Sequence, residues 1–138
     1  MGIEENKAVV RQYIQEIMSN GDYTHAEELL DENFFGDQGT IKGIEAHKER
    51  FKAQRAAIPD GANNLQEMIA EGDKVVAISM LTWTDTAGIG GHPPTNKPAK
   101  QKVIVVYTLK DGKIVKGEPL GDSIGGARSV GHTSVNFG

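Results

Sequence analysis

Apolar residues recur with a helical period in the first third of the chain and with a period of two in most of the rest. Val10, Ile14 and Ile17 stand at i, i+4 and i+7, with Val9, Tyr13 and Met18 beside them and charges on the opposite face. That predicts an opening helix, stopped by Asn20-Gly21 because glycine accepts the left-handed backbone of a C-terminal cap. Thr24 and Glu27 have the spacing of a capping box, so a short helix is expected to open there and close near Asp31. After a glycine-bearing loop over 36–43, a third helix is expected at 44–57. It should bury Ile44 and Phe51, with His47 a further candidate, before Pro59-Asp60-Gly61 ends it.

From there the pattern is that of strands. Residues 65–70 predict a short one, and Glu71-Gly72-Asp73 a turn. Over 74–86, Val75, Ala77, Ser79, Leu81 and Trp83 share one face, with Val76, Ile78, Met80 and Thr82 on the other. A loop rich in glycine and proline (88–98) leads to a strand at 101–110. Asp111-Gly112 then signals a tight hairpin, because a type I′ turn wants positive φ at both positions. The strand returns over 113–122, where Gly117 and Pro119 are expected to mark a bulge or an edge. Helices followed by antiparallel strands predict an α+β domain over 1–122, one curved sheet with helices on a single face. The remaining 123–138 has the glycine and serine content of a linker. An ordered tail of that composition needs something to hold it, and the expectation is the sheet or a second subunit.

Composition narrows the function more by exclusion than by assignment. The chain has 138 residues, no cysteine and a formal charge of −4. Disulfides, cysteine–zinc sites and thiol nucleophiles are therefore excluded, and a general nucleic-acid binder is disfavoured. Residues 1–60 hold twelve acids against seven bases, so the negative charge lies there. Lys97, Lys100 and Lys102 form a small basic cluster that reads either as an anion contact or as a solvated strand end. No apolar run approaches the roughly 20 residues of a membrane span, and no apolar signal core follows the charged N-terminus. The expectation is a cytoplasmic protein with neither a membrane nor a nucleic acid as partner. Gly121-Asp122-Ser123-Ile124-Gly125 fits the G-x-S-x-G pattern of hydrolases. That elbow needs a helix after the serine, which Gly125-Gly126 argues against, and an acid downstream, which this chain lacks after Asp122.

Several local phrases occur in a telling order. They are Asn6-Lys7-Ala8-Val9-Val10-Arg11, then Glu27-Glu28-Leu29-Leu30 leading to Asn33-Phe34, then Arg55-Ala56-Ala57-Ile58-Pro59-Asp60. Ile69-Ala70-Glu71-Gly72-Asp73-Lys74-Val75-Val76 and Gly91-His92-Pro93-Pro94-Thr95-Asn96-Lys97 follow, with Tyr107 before Asp111-Gly112-Lys113-Ile114-Val115. Over about residues 6–122 the chain resembles the SnoaL-like polyketide cyclases of the NTF2-like superfamily. The resemblance implies a cone-shaped, cystatin-like barrel whose bent, mostly antiparallel sheet wraps the helices around an apolar pocket. It also implies a homodimer through the sheet and chemistry that needs neither metal nor cofactor.

What the resemblance implies for the residues is more divided. Asp122 matches the acid that ends the last strand in the cyclases, where it would move protons beside a carbonyl. Desolvation in an apolar pocket would suit it to that work. The alternative is a strand-end aspartate bonding the Ser123 or Gly125 amide. Glu118, four residues earlier, would share the face of Asp122 unless Pro119 shifts the register and turns it to solvent. Gly117-Glu118 replaces the family's usual His-Trp pair. Asp37 and Asp85 stand where relatives often carry histidine, and a carboxylate cannot donate to an enolate unless protonated; for Asp85 a surface loop position is the expectation. Tyr13, Phe51, Met80 and Trp83 are candidates for pocket wall, with Tyr13 and His47 as possible donors or plain core. Three functions stay open: a cofactor-free cyclase or isomerase acting on a small apolar carbonyl compound such as a polyketide, a noncatalytic binder of small molecules, and a ketosteroid-isomerase-like proton shuttle.

Overall fold

The computed structural model describes residues 2–36 and 39–136. Helix α1 (Ile3–Tyr13) runs on as a π-helical stretch, Ile14–Ser19, then α2 (Ala26–Leu29), β1 (Leu30–Gly36) and β2 (Ile41–Lys42). Helix α3 (Gly43–Ala57), the strands β3 (Ala62–Glu71), β4 (Lys74–Thr84), β5 (Pro98–Lys110) and β6 (Lys113–Gly121), and α4 (Ser123–Ser129) complete the chain. The strands make one sheet in the order β2-β1-β6-β5-β4-β3, with only β1 and β6 parallel. Helices on one face of a curved sheet are what the sequence predicts.

The core lies between that face and the helices. Val10, Tyr13, Ile14 and Ile17 on the first helix meet Val75, Ala77, Tyr107, Leu109 and Ile114 from the sheet. The period-two pattern of β4 holds: Val75, Ala77 and Ser79 are buried, while Val76, Ile78 and Met80 alternate onto the other face.

Several local expectations are corrected. Thr24 makes no capping box. Its N–H and hydroxyl both donate to Oδ1 of Asp22, at 3.0 and 2.6 Å, and α2 begins without a side-chain cap. The segment after that helix, to which the pattern assigned no element, forms β1, parallel to β6. The irregularity in β6 falls not at Gly117 or Pro119 but at Val115, where the register shifts between Thr108 and Leu109. Strand β6 lies between β1 and β5, yet β1 reaches only to Gly117. The missing N–H of Pro119 therefore falls where β6 has no neighbour on that side.

The stretch after Asp122 is a helix despite Gly125-Gly126. Two features explain it. Asp122 caps α4, its Oδ1 accepting from the Gly125 N–H at 2.9 Å. The Gln101 amide lies over Gly126, so a side chain there would require that amide to shift. Ala127 and Val130 join Ile89 and Ala99 in a second small core, packed by Trp83 and Val135. The tail then lies on the 85–97 loop, with the Asn136 N–H donating to the Gly90 carbonyl and the His92 and His132 rings stacked 3.9 Å apart. Of the two sides the sequence offered for it, the tail has its own sheet and loop.

Candidate functional site

A hollow of about 200 Å³ opens at the end of the sheet away from Tyr107. Ile17 and Met18 on the π-helical stretch, Phe51 and Ile58 at the end of α3, and Leu81 and Trp83 on β4 make its apolar wall. Asp60 fixes the chain reversal after α3 by accepting from the Thr84 N–H (3.1 Å) and hydroxyl (2.6 Å), which pulls its carboxyl below the usual range. The polar groups at the hollow are Gln54, Asn63, Thr82 and Gln101, together with Arg55 at the edge. Asn63 Oδ1 is buried without a hydrogen-bond partner. The Gln101 amide lies over Gly121 and Gly126, whose lack of side chains makes room for it. Among the described residues, Arg55 is the one charged side chain of the lining, and no carboxylate or imidazole belongs to it.

The candidates from sequence divide accordingly. Phe51 and Trp83 line the hollow. Met80 does not: it lies opposite Lys102 on the other face of β4 from Leu81 and Trp83. Tyr13 and His47 belong to the closed core. Tyr13 Oη lies 2.7 Å from His47 Nε2, and Tyr23 Oη lies 2.9 Å from Nδ1. Burial pushes the imidazole down to about 4, so it is neutral, and one phenol donates to it while the other accepts. Burial also raises Tyr13 well above the usual phenol range. Phe51 stacks on His47 at 4.4 Å and stands between it and the hollow.

Asp122 and Glu118 take the second of the two places the sequence left open for them, and Asp85 departs from its expected place. Asp122 is exposed and occupied as the α4 cap, outside the lining of the hollow, rather than desolvated in an apolar pocket. Glu118 is turned to solvent, 3.3 Å from Lys116, because in-register alternation puts it on the face away from the helices. Asp37 lies outside the described residues. Asp85 is fully buried rather than a surface residue. It pins the loop, Oδ1 accepting from the Gly88 N–H and Oδ2 from the Thr95 N–H and hydroxyl. Ser123 begins a helix, so one argument against the hydrolase pattern falls; the want of an acid after Asp122 still stands. The residues that sequence reasoning missed are Gln101, Asn63 and Arg55, whose only signal was polarity on otherwise apolar faces.

Comparison with known proteins agrees with this architecture. A family model described as SnoaL-like polyketide cyclase matches residues 8–129. The chain is similar to a protein from Acidithiobacillus ferrooxidans, provisionally named a polyketide cyclase. They share 25% identity at a TM-score of 0.76, with 97% of this chain and 100% of that one covered. It also resembles a SnoaL-like polyketide cyclase from Agrobacterium tumefaciens (14% identity, TM-score 0.82, 95% and 100% covered). A third likeness is to TsrD from Streptomyces laurentii (19%, 0.80, 95% and 98%). The latter two likenesses speak for the fold alone. No curated protein matches the chain significantly.

Proposed function

Because the chain belongs to the SnoaL-like polyketide cyclase family, we propose that it binds a small, mostly apolar molecule in the hollow beside Trp83. The observation that carries this is an apolar wall joined to the Asn63 amide oxygen, buried without a protein partner, the usual make-up of a ligand site. A cavity of about 150 Å³ is enough for benzene, so this one suits a compound of one or two rings. Acid–base cyclisation asks for a carboxylate or imidazole within hydrogen-bond reach of the reacting group. Among the described residues the lining offers neither, and Asp122 is engaged elsewhere, so binding is the reading we favour over catalysis.

Trp83 is the chain's single tryptophan and stands on the wall, so its emission reports occupancy. Titration with 2-tetralone, a two-ring ketone, is expected to change that emission saturably and to raise the melting temperature with concentration, as mass action requires. A response that stays linear, with no thermal shift, removes the reading.

We also propose a homodimer through the sheet face that the helices leave bare. Ile69 and Leu120 are 53% and 74% exposed there, beside Ile104 and the half-buried Val76, Ile78 and Val106. Sedimentation is expected to show twice the chain mass; a single-chain particle at about 100 µM argues the other way.

A further inference from the structure

The apolar hollow shares a wall with a second cleft along α3. Ile17, Phe51 and Arg55 line both. The chemistry changes across that wall. Lys48 and Lys52 border the second cleft with Arg55, spaced i, i+4 and i+7 along one face of α3. Tyr23 lies under Lys48, whose ammonium is 5.6 Å from the ring centre. Glu45 and Glu49 line the same cleft. Three cations against two acids leave the cleft positive, in a chain whose formal charge is −4.

Arg55 is held in place at the junction. Its Nη1 donates to the Ser19 carbonyl at 3.0 Å, at the end of the π-helical stretch. Gly21, at φ +65°, leaves the room: a Cβ there would come within 3.0 Å of Nε and 3.2 Å of Cζ. A guanidinium carries five N–H donors, and among the described residues it forms no ion pair. A positioned cation at the mouth of an apolar hollow, backed by two more, is complementary to an anion attached to an apolar body.

We propose that the natural occupant is an amphipathic carboxylate, its ring system in the hollow, its carboxylate on Arg55 and any polar extension directed along Lys48 and Lys52. The planar guanidinium matches a carboxylate in two parallel hydrogen bonds. This inference rests on the reading that the hollow binds small apolar molecules, and the experiment separates the two. Calorimetry would compare 2-tetralone with tetralin-2-carboxylate, two probes with one ring system, on the wild type, Arg55→Met and Lys52→Met. The carboxylate is expected to bind the wild type about tenfold more tightly than the ketone. Arg55→Met should erase that preference, and a cooperative urea transition would show that the variant is folded. Lys52→Met should reduce it about twofold, and about 0.5 M salt should weaken the carboxylate alone. Equal affinities in the wild type, a preference that survives Arg55→Met, or carboxylate binding indifferent to salt would overturn the inference while the hollow reading stands. Salt dependence and Lys52→Met decide the matter if Arg55→Met does not fold. Failure of both probes to bind would remove both readings together.

Discussion

Facing pairs on β4 and β5 descend from a filled interior to an open one on the same side of the sheet. At one end Val75 faces Tyr107 and Ala77 faces Val105; at the other Ser79 faces Val103 and Leu81 faces Gln101. The first end is closed by aromatic rings around a single polar group. Tyr107 meets Tyr13 edge to face at 5.6 Å, Phe34 and Phe51 pack on His47, and both imidazole nitrogens have phenol partners. At the second end the amides of Asn63 and Gln101 line an unfilled space. At the first end the buried imidazole is satisfied internally; at the second the Asn63 oxygen is left for an outside molecule. The difference separates a polar residue that serves stability from one available for binding.

Deleting the satisfied group should produce the largest effect. His47 is 1% exposed, and His47→Ala removes a ring from the core while orphaning two phenols. A loss of about 4 kcal/mol is expected in urea unfolding. The same residue gives the closed end a pH dependence. Its folded value is lowered to about 4 from an ordinary 6.5, so between those values the unfolded chain takes up a proton that the folded one refuses. The contribution is fully present above pH 6.5 and is lost as pH falls toward 4, by at most about 3 kcal/mol. In His47→Gln this component should vanish from the pH profile; a profile unchanged by the substitution would show that His47 is not the group responsible.

Local pattern carried the helices, the long strands and the hairpin, because their signals lie within a few residues. It failed where the decisive partner is distant. Residues 31–35 show no clean alternation, and they become a strand only because β6 accepts them in parallel. Gly125-Gly126 is a poor helix former, yet the helix forms with Asp122 capping at Gly125 and Gln101, from distant β5, close over Gly126. Asp85 looked like one more loop acid, yet its burial depends on Thr95, ten residues on. The same blindness affected the candidate site. Phe51 and Trp83 were legible as aromatic wall. Asp122 and Glu118 were chosen for their chemistry, and their surroundings could not be read from spacing. Gln101 drew no assignment, because a polar side chain facing a hollow has the sequence signature of one facing water.

That last ambiguity yields the smallest and most discriminating change. If the two ends differ as described, removing a polar group from the open end should leave stability nearly untouched. The Gln101 amide makes no hydrogen bond among the described residues, and Gly121 and Gly126 make room for an unbranched side chain. Gln101→Met keeps that shape, loses no internal bond and replaces an amide with apolar surface against an apolar wall. Unfolding in urea should therefore agree with the wild type to within about 0.5 kcal/mol, against several for His47→Ala under the same conditions. A cost above about 2 kcal/mol would mean that the amide is bonded within the folded chain. The floor of the hollow would then be closed core, and the contrast between the two ends of the sheet would disappear.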